Sequence, residues 1–252
     1  MSKQTVLITG ATSGIGEVTA RLLAQNNFKL IICGRRAVRL QKLQAELASV
    51  TEVHSLNFDV RDEAAVNAAI NTLPDNWKQI DVLINNAGNA HGLDPIQNGN
   101  TADWDAMIDI NVKGLLYVSR AVMGKMTVRQ QGHIINIGSI AGKEVYANGN
   151  VYCASKHAVD AITKGMRLDL NSYGIKVTAI NPGLVETEFS LVRFKGDAAR
   201  AEQVYKGYKA LEAKDIAEII LFALRQPAHV QLADITVFPT AQASATVVKK
   251  GL

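Results

Sequence analysis

Tyr152 and Lys156 are four residues apart in the run Tyr152-Cys153-Ala154-Ser155-Lys156, a spacing that puts both on one face of a helix. An ammonium would then stand beside a phenol. A free phenol titrates near ~10, too high for a general base at neutral pH. Lowering it by roughly three units takes about 4 kcal/mol. One cation at ~4 Å supplies that at an effective dielectric of ~20. Tyr152 could then take a proton from an alcohol or return one to a carbonyl. The same spacing recurs in Tyr205-Lys206-Gly207-Tyr208-Lys209, so context must separate the two copies. Tyr152 follows an apolar run, His133 to Ser139, and lies in a long amphipathic stretch from Val151 to Tyr173. Tyr205 lies in a polar, charged stretch with no adjoining strand and reads as surface.

Chemistry at Tyr152 requires a frame. Short β-rich runs occur at Thr5–Thr9, Lys29–Cys33, Val53–Val60, Ile80–Ile84, His133–Ser139, Lys176–Ile180 and Ile235–Phe238. Helical patterns lie between them: one to about Asn26, then Glu63–Leu73, Thr101–Met126 with Thr101 as N-cap, the stretch from Val151, and Asp215–Leu224. Alternation of this kind predicts an α/β fold, a doubly wound, Rossmann-like parallel sheet covered on both faces, in a single domain. Candidate sites fall after strand ends, where such sheets bind ligands.

The turn after the first strand, Gly10-Ala11-Thr12-Ser13-Gly14-Ile15-Gly16, is spaced G-x-x-x-G-x-G. Its glycines allow a tight turn and a close approach of a pyrophosphate to the backbone, and the following helix offers free N–H groups. The second strand ends in Gly34-Arg35-Arg36. A carboxylate there would hold the ribose hydroxyls of NAD; a guanidinium accommodates the 2′-phosphate of NADP. Two arginines and no carboxylate predict NADP. Arg39 and Lys42 read as the exposed face of the next helix. Phe58-Asp59-Val60 can reach the adenine, and Asn85-Asn86-Ala87-Gly88 sits at the carboxyl edge of the sheet. Asn111 falls in mid-helix, where asparagine is slightly unfavourable unless its polarity has a use.

Composition narrows the class. The 252 residues carry no low-complexity linker, and 48% hydrophobic with 20% charged residues is ordinary globular usage. Net charge is +4, but no basic run reaches five residues, which argues against a nucleic-acid partner. No apolar run approaches the ~18 residues of a membrane span. The N-terminus enters a strand at once, without a signal peptide, and Cys33 and Cys153 are too few for a disulfide framework. A cytoplasmic protein is the expectation. No His, Cys and carboxylate cluster has metal-site spacing.

Together these residues resemble the short-chain dehydrogenase/reductase family over essentially the whole chain. The matching pieces are Thr9 to Gly16, Asp59-Val60, Asn85 to Gly88, Asn111, Ser139, Tyr152 with Lys156, and Pro182-Gly183. The resemblance implies that Tyr152 is the acid/base, that Lys156 lowers its pKa and holds the nicotinamide ribose, and that Ser139 bonds the reacting oxygen. Asn111 would hold a relay water. Gly10 to Gly16, Arg35, Arg36, Asp59, Val60, Asn86, Ala87 and Gly88 would bind the cofactor, with Pro182, Gly183, Leu184, Val185 and Thr187 passing the nicotinamide. A narrower likeness, carried by Gly34-Arg35-Arg36, His133 to Ser139, Gly149 to Tyr152 and Thr187 to Asp197, is to NADP-dependent 3-hydroxy acid (serine or L-allo-threonine) dehydrogenases. That branch implies a homotetramer and a small 3-hydroxy acid substrate. A segment at about 187–212 would cover the substrate. Arg193 and Lys195 could bind its carboxylate, or face solvent on a mobile lid; both readings stay open. His91 could also point into the pocket, whereas His54, His133, His157 and His229 read as structural. Reduction of another ketone, a steroid or a 3-ketoacyl thioester is the alternative activity, and a non-catalytic dinucleotide sensor a more distant one.

Overall fold

The structure is a computed structural model that describes residues 3–251. In chain order the elements are β1 (Thr5–Ile8), α1 (Gly14–Gln25), β2 (Lys29–Gly34), α2 (Ala37–Leu47), β3 (Val53–Asn57), α3 (Glu63–Asn71), β4 (Val82–Asn85) and α4 (Thr101–Ile108). There follow α5 (Leu115–Arg129), β5 (Gly132–Ile137), α6 (Asn150–Leu170), β6 (Ile175–Pro182), β7 (Val185–Glu186), α7 (Phe189–Arg193), α8 (Ala198–Tyr205), β8 (Leu211–Glu212), α9 (Ala213–Leu224) and β9 (Asp234–Val237). Seven strands form one parallel sheet in the order β3-β2-β1-β4-β5-β6-β9. The doubly wound α/β expectation is met.

Alternation along each strand explains why both faces are apolar. Ile8, Ile32 and Ile84 point toward one layer, where Leu23 of α1, Leu40 of α2 and Ile216 of α9 are buried. Leu7, Ile31 and Leu83 point toward the other, against Ile70 of α3, Val122 of α5 and Val159 of α6. Strand order reverses between β1 and β4, which opens a crevice at their carboxyl ends.

The helix expected over Thr101–Met126 is not continuous. A π-helical segment, Asp109–Gly114, separates α4 from α5, and the N-cap is Asn100, whose side chain accepts from the Ala102 N–H at 2.9 Å, rather than Thr101. The wider turn buries Ile110, Asn111 and Gly114 together. This is how an unfavourable helical residue reaches the interior, and π segments recur at functional sites for that reason.

His133 is structural, as expected. It pairs with the Thr178 hydroxyl at 2.9 Å, and burial together with the Lys176 charge draws its pKa down from 6.5 to about 3. Below pH 6.5 the unfolded chain takes a proton that the native site refuses until about pH 3. Stability is therefore lost as pH falls through that window, by up to about 1.4 kcal/mol per pH unit. In urea unfolding between pH 6.5 and 5, His133→Gln should lose less stability than the wild type; identical pH slopes would refute the assignment.

Candidate active site

Thr9, at the end of β1, ties two turns together. Its hydroxyl accepts from the Asn86 and Ala87 N–H groups, both at 3.0 Å. Asn86 Nδ2 donates back to the Thr9 carbonyl at 2.9 Å and the Gly10 carbonyl at 3.3 Å. The glycine turn is thereby pinned against the Asn-Ala-Gly turn. Gly10 has φ +66° and Gly14 φ +54°, conformations that L side chains rarely adopt. A Cβ on Gly10 would also meet Asn86 Nδ2 at 2.9 Å. Asn85 is different: it is buried, and its Nδ2 donates to Ser119 Oγ at 2.8 Å and Asn136 Oδ1 at 2.9 Å. Of the two adjacent asparagines, the first braces the sheet and the second shapes the site.

Gly10, Thr12, Ser13, Gly14, Ile15, Arg35, Arg36, Val60, Asn86, Ala87 and Gly88 line one cavity of about 450 Å³. Ser139, Tyr152, Lys156, Pro182, Gly183, Val185 and Thr187 line its other end. Ala11 and Gly16 are buried behind the turn, and Leu184 is held by its N–H to Gln242 Oε1 at 2.8 Å. Asp59 lies beside the cavity, paired with Arg61 at 2.7 Å and Arg35 at 3.4 Å. Those arginines hold its carboxyl below its ordinary value against the opposing effect of burial.

Arg36 is the more constrained of the arginine pair. Its Nε donates to Thr12 Oγ1 at 3.1 Å, its Nη2 to the Thr12 carbonyl at 3.2 Å and to Ser13 Oγ, and its Nη1 to Glu188 at 2.9 Å. Arg39 also reaches Glu188, at 2.8 Å. Arg39 is therefore not merely an exposed helix face: it bridges α2 to the residue just before α7.

Tyr152 and Lys156 are both buried on α6. Lys156 Nζ donates to the Ile137 carbonyl at 3.0 Å, and burial draws its pKa down to about 8. Burial pushes the Tyr152 phenol up, and the nearby Tyr146 adds to this, while hydrogen bonding to Ser139 and the Arg193 charge pull it back. The phenol is thus held above its ordinary value, not below it as expected: burial outweighs the pull of Ser139 and Arg193, and Lys156, whose Nζ is directed at the Ile137 carbonyl, is not among the groups that draw it down. Asn111 Oδ1 accepts from the Asn89 N–H at 2.9 Å, and its Nδ2 donates to the Asn89 carbonyl at 2.9 Å and Ser155 Oγ at 3.0 Å. A Cβ on Gly88 would lie 3.1 Å from Asn111 Oδ1 and 3.6 Å from Lys156 Nζ, so only glycine leaves that corner open.

The segment 187–212 contributes Thr187, Glu188, Phe189 and Val192 to the cavity. Phe189 packs obliquely on Tyr152 with ring centroids 5.6 Å apart. Arg193 is turned inward: Nε donates to the Gly92 carbonyl at 3.1 Å, Nη1 to the Tyr146 hydroxyl at 3.0 Å, and the guanidinium lies 5.5 Å from both the Tyr146 and Tyr152 ring centres. Its Nη2 has no partner among the described residues. Lys195 is at the outer edge, paired with Asp103 at 2.9 Å. His91 lines the cavity and hydrogen-bonds Asn89 Nδ2 at 2.8 Å.

Tyr205 departs from its surface reading. Its hydroxyl donates to the Val185 carbonyl at 3.0 Å and shares a hydrogen bond with Ser190 Oγ at 2.7 Å, locking α8 to the short β7–β8 ribbon. Helix α8 ends at Tyr205, so Tyr205 and Lys209 never share a helical face. The polar neighbours concealed this role. Phe58, expected near the adenine, lines the cavity, and so do Arg61 and Glu188, which the sequence reading missed.

These residues fit a phosphorylated dinucleotide. An open glycine turn lies at one point of the cavity, the Arg35 and Arg36 guanidinium groups close to Thr12 and Ser13 at another, and a phenol, hydroxyl and ammonium at the far end. Comparison with known proteins agrees. Residues 4–197 match the family model described as short chain dehydrogenase. The chain is 46% identical over 241 residues to the NADP-dependent 3-hydroxy acid dehydrogenase YdfG of Salmonella typhi, covering 95% of this chain and 96% of that protein. It is 44% identical to sulfoacetaldehyde reductase 2 of Chromohalobacter salexigens, covering 94% and 95%. A structure of the closed form of serine dehydrogenase complexed with NADP+ superposes with a TM-score of 0.93 at 44% identity, over 97% of this chain and 98% of that one. A Tyr152, Lys156 and Ser139 set at the end of a glycine-turn cavity, on a seven-stranded parallel sheet, thus has its counterpart in sequence: the chain belongs to the short-chain dehydrogenase family.

Proposed function

We propose that the protein is an NADP-dependent oxidoreductase acting on the 3-hydroxyl carbon of small 3-hydroxy acids, or on the matching semialdehyde in reverse. The carrying observation is that the arginine pair and the Ser139, Tyr152 and Lys156 set face one cavity. When bound, NADP accepts or supplies the hydride. Arg35 and Arg36 hold the 2′-phosphate, and the turn from Gly10 to Gly16 admits the pyrophosphate. Asn86, Ala87 and Gly88, with Pro182 to Thr187, flank the rest of the dinucleotide.

Ser139 orients the reacting oxygen while Tyr152 takes its proton or returns one. Lys156 holds positive charge beside the site below its pKa of about 8. Asn111 fixes the wall next to Lys156, where a relay water can pass the proton onward. Arg193 supplies the cation for the substrate's acid group, which 187–212 covers. Exposed Leu168 on α6 and Val128 on α5 suit burial in a homotetramer, and a cytoplasmic setting completes the reading.

Absorbance of reduced nicotinamide tests it directly. NADP+ with L-serine, L-allo-threonine or 3-hydroxypropionate should yield NADPH, and NAD+ much less. Turnover confined to 3-ketoacyl thioesters, steroids or sulfoacetaldehyde would redirect the substrate assignment.

A further inference from the structure

Arg36 has few N–H groups to spare. Thr12 takes Nε–H, Thr12 and Ser13 take Nη2, and Glu188 takes one hydrogen of Nη1. An incoming phosphate cannot receive a two-point contact from this guanidinium unless one of those partners leaves. Glu188 is the partner that can leave with least loss, because Arg39 already holds both of its oxygens, at 2.8 and 3.0 Å. Glu188 is also the one anion in that set, so it repels a phosphate that Thr12 and Ser13 would welcome.

We propose that Glu188 is a positioning residue that competes with the 2′-phosphate of NADP for Arg36, and that Arg39 receives it when the phosphate binds. The inference rests on the proposed role of Arg36 as phosphate clamp. Glu188 immediately precedes α7, whose Phe189 packs on Tyr152 and whose Arg193 lies beside the same ring. Exchange at Arg36 therefore acts on the segment that touches the acid/base. NAD carries no phosphate at this position, so it has no part in the exchange.

Fluorescence titration of the whole protein with NADPH and with NADH, free of any turnover, reads the effect. Both side chains are about two-fifths exposed, so a solvent-screened pair predicts a change of a few fold. Glu188→Gln should tighten NADPH about fivefold and leave NADH unchanged. Arg39→Gln should weaken NADPH in the wild-type background and much less in the Glu188→Gln background, because its action passes through Glu188. Arg36→Gln serves as the control for the clamp. If Arg36→Gln weakens NADPH while Glu188→Gln leaves it unchanged, or weakens both nucleotides alike, the competition is overturned and the clamp stands. If Arg36→Gln leaves NADPH unchanged, the clamp reading falls and the competition with it.

Discussion

Tyr152→Phe is expected to bind NADPH as the wild type does and to lose turnover by about 10²–10⁴-fold, the usual worth of a positioned acid or base. The substitution removes one hydroxyl and keeps the ring, whose packing on Phe189 at 5.6 Å does not need the oxygen. Cofactor affinity, the fold and the position of Ser139 should therefore survive. Burial holds the phenol protonated, and Ser139 and the Arg193 charge offset this only in part, so the variant removes a hydroxyl that the protein itself keeps neutral. Retention of turnover in this variant would remove Tyr152 from the mechanism, whereas loss of both binding and turnover would indicate a structural role.

Neutralising both arginines, as in Arg35→Gln with Arg36→Gln, should weaken NADP by about 10–100-fold and NAD little. A hydrogen bond to a charged group contributes about 1.5–3 kcal/mol, and a phosphate can accept several. The side chains are 54% and 42% exposed, and that screening places the expectation toward the lower end. Equal losses for the two cofactors would show that the arginines support the fold of the turn and do not select the nucleotide. Measured as dissociation constants, the comparison is independent of turnover.

The sheet was legible because buried parallel strands are short continuous apolar runs between turn residues, as in Val6-Leu7-Ile8 and Val82-Leu83-Ile84. The glycine turn, Asn86 and the arginine pair were legible because each follows directly on such a strand. The π segment at Asn111 was not, since its apolar neighbours have the same spacing an α-helix would use. Pairings across the fold were equally hidden. Glu188 lies 149 residues from Arg39 in the chain, and no local pattern announces that they meet. Tyr205 was misjudged for a related reason: its neighbours are polar, yet its hydroxyl is spent on Val185 of the ribbon and Ser190 of α7. Arg193 lay between two readings until its contacts with Tyr146 and Gly92 turned it inward, toward the ring of Tyr152.

Hydride transfer from the hydroxyl-bearing carbon is the claim on which the remaining assignments depend. Incubating the protein with NADP+ and 3-hydroxypropionate deuterated at C3, then recovering the nucleotide for mass spectrometry, follows that hydride. The account predicts that each NADPH formed carries one deuterium on its nicotinamide ring. NADPH without the label, or no NADPH from any 3-hydroxy acid, would contradict it.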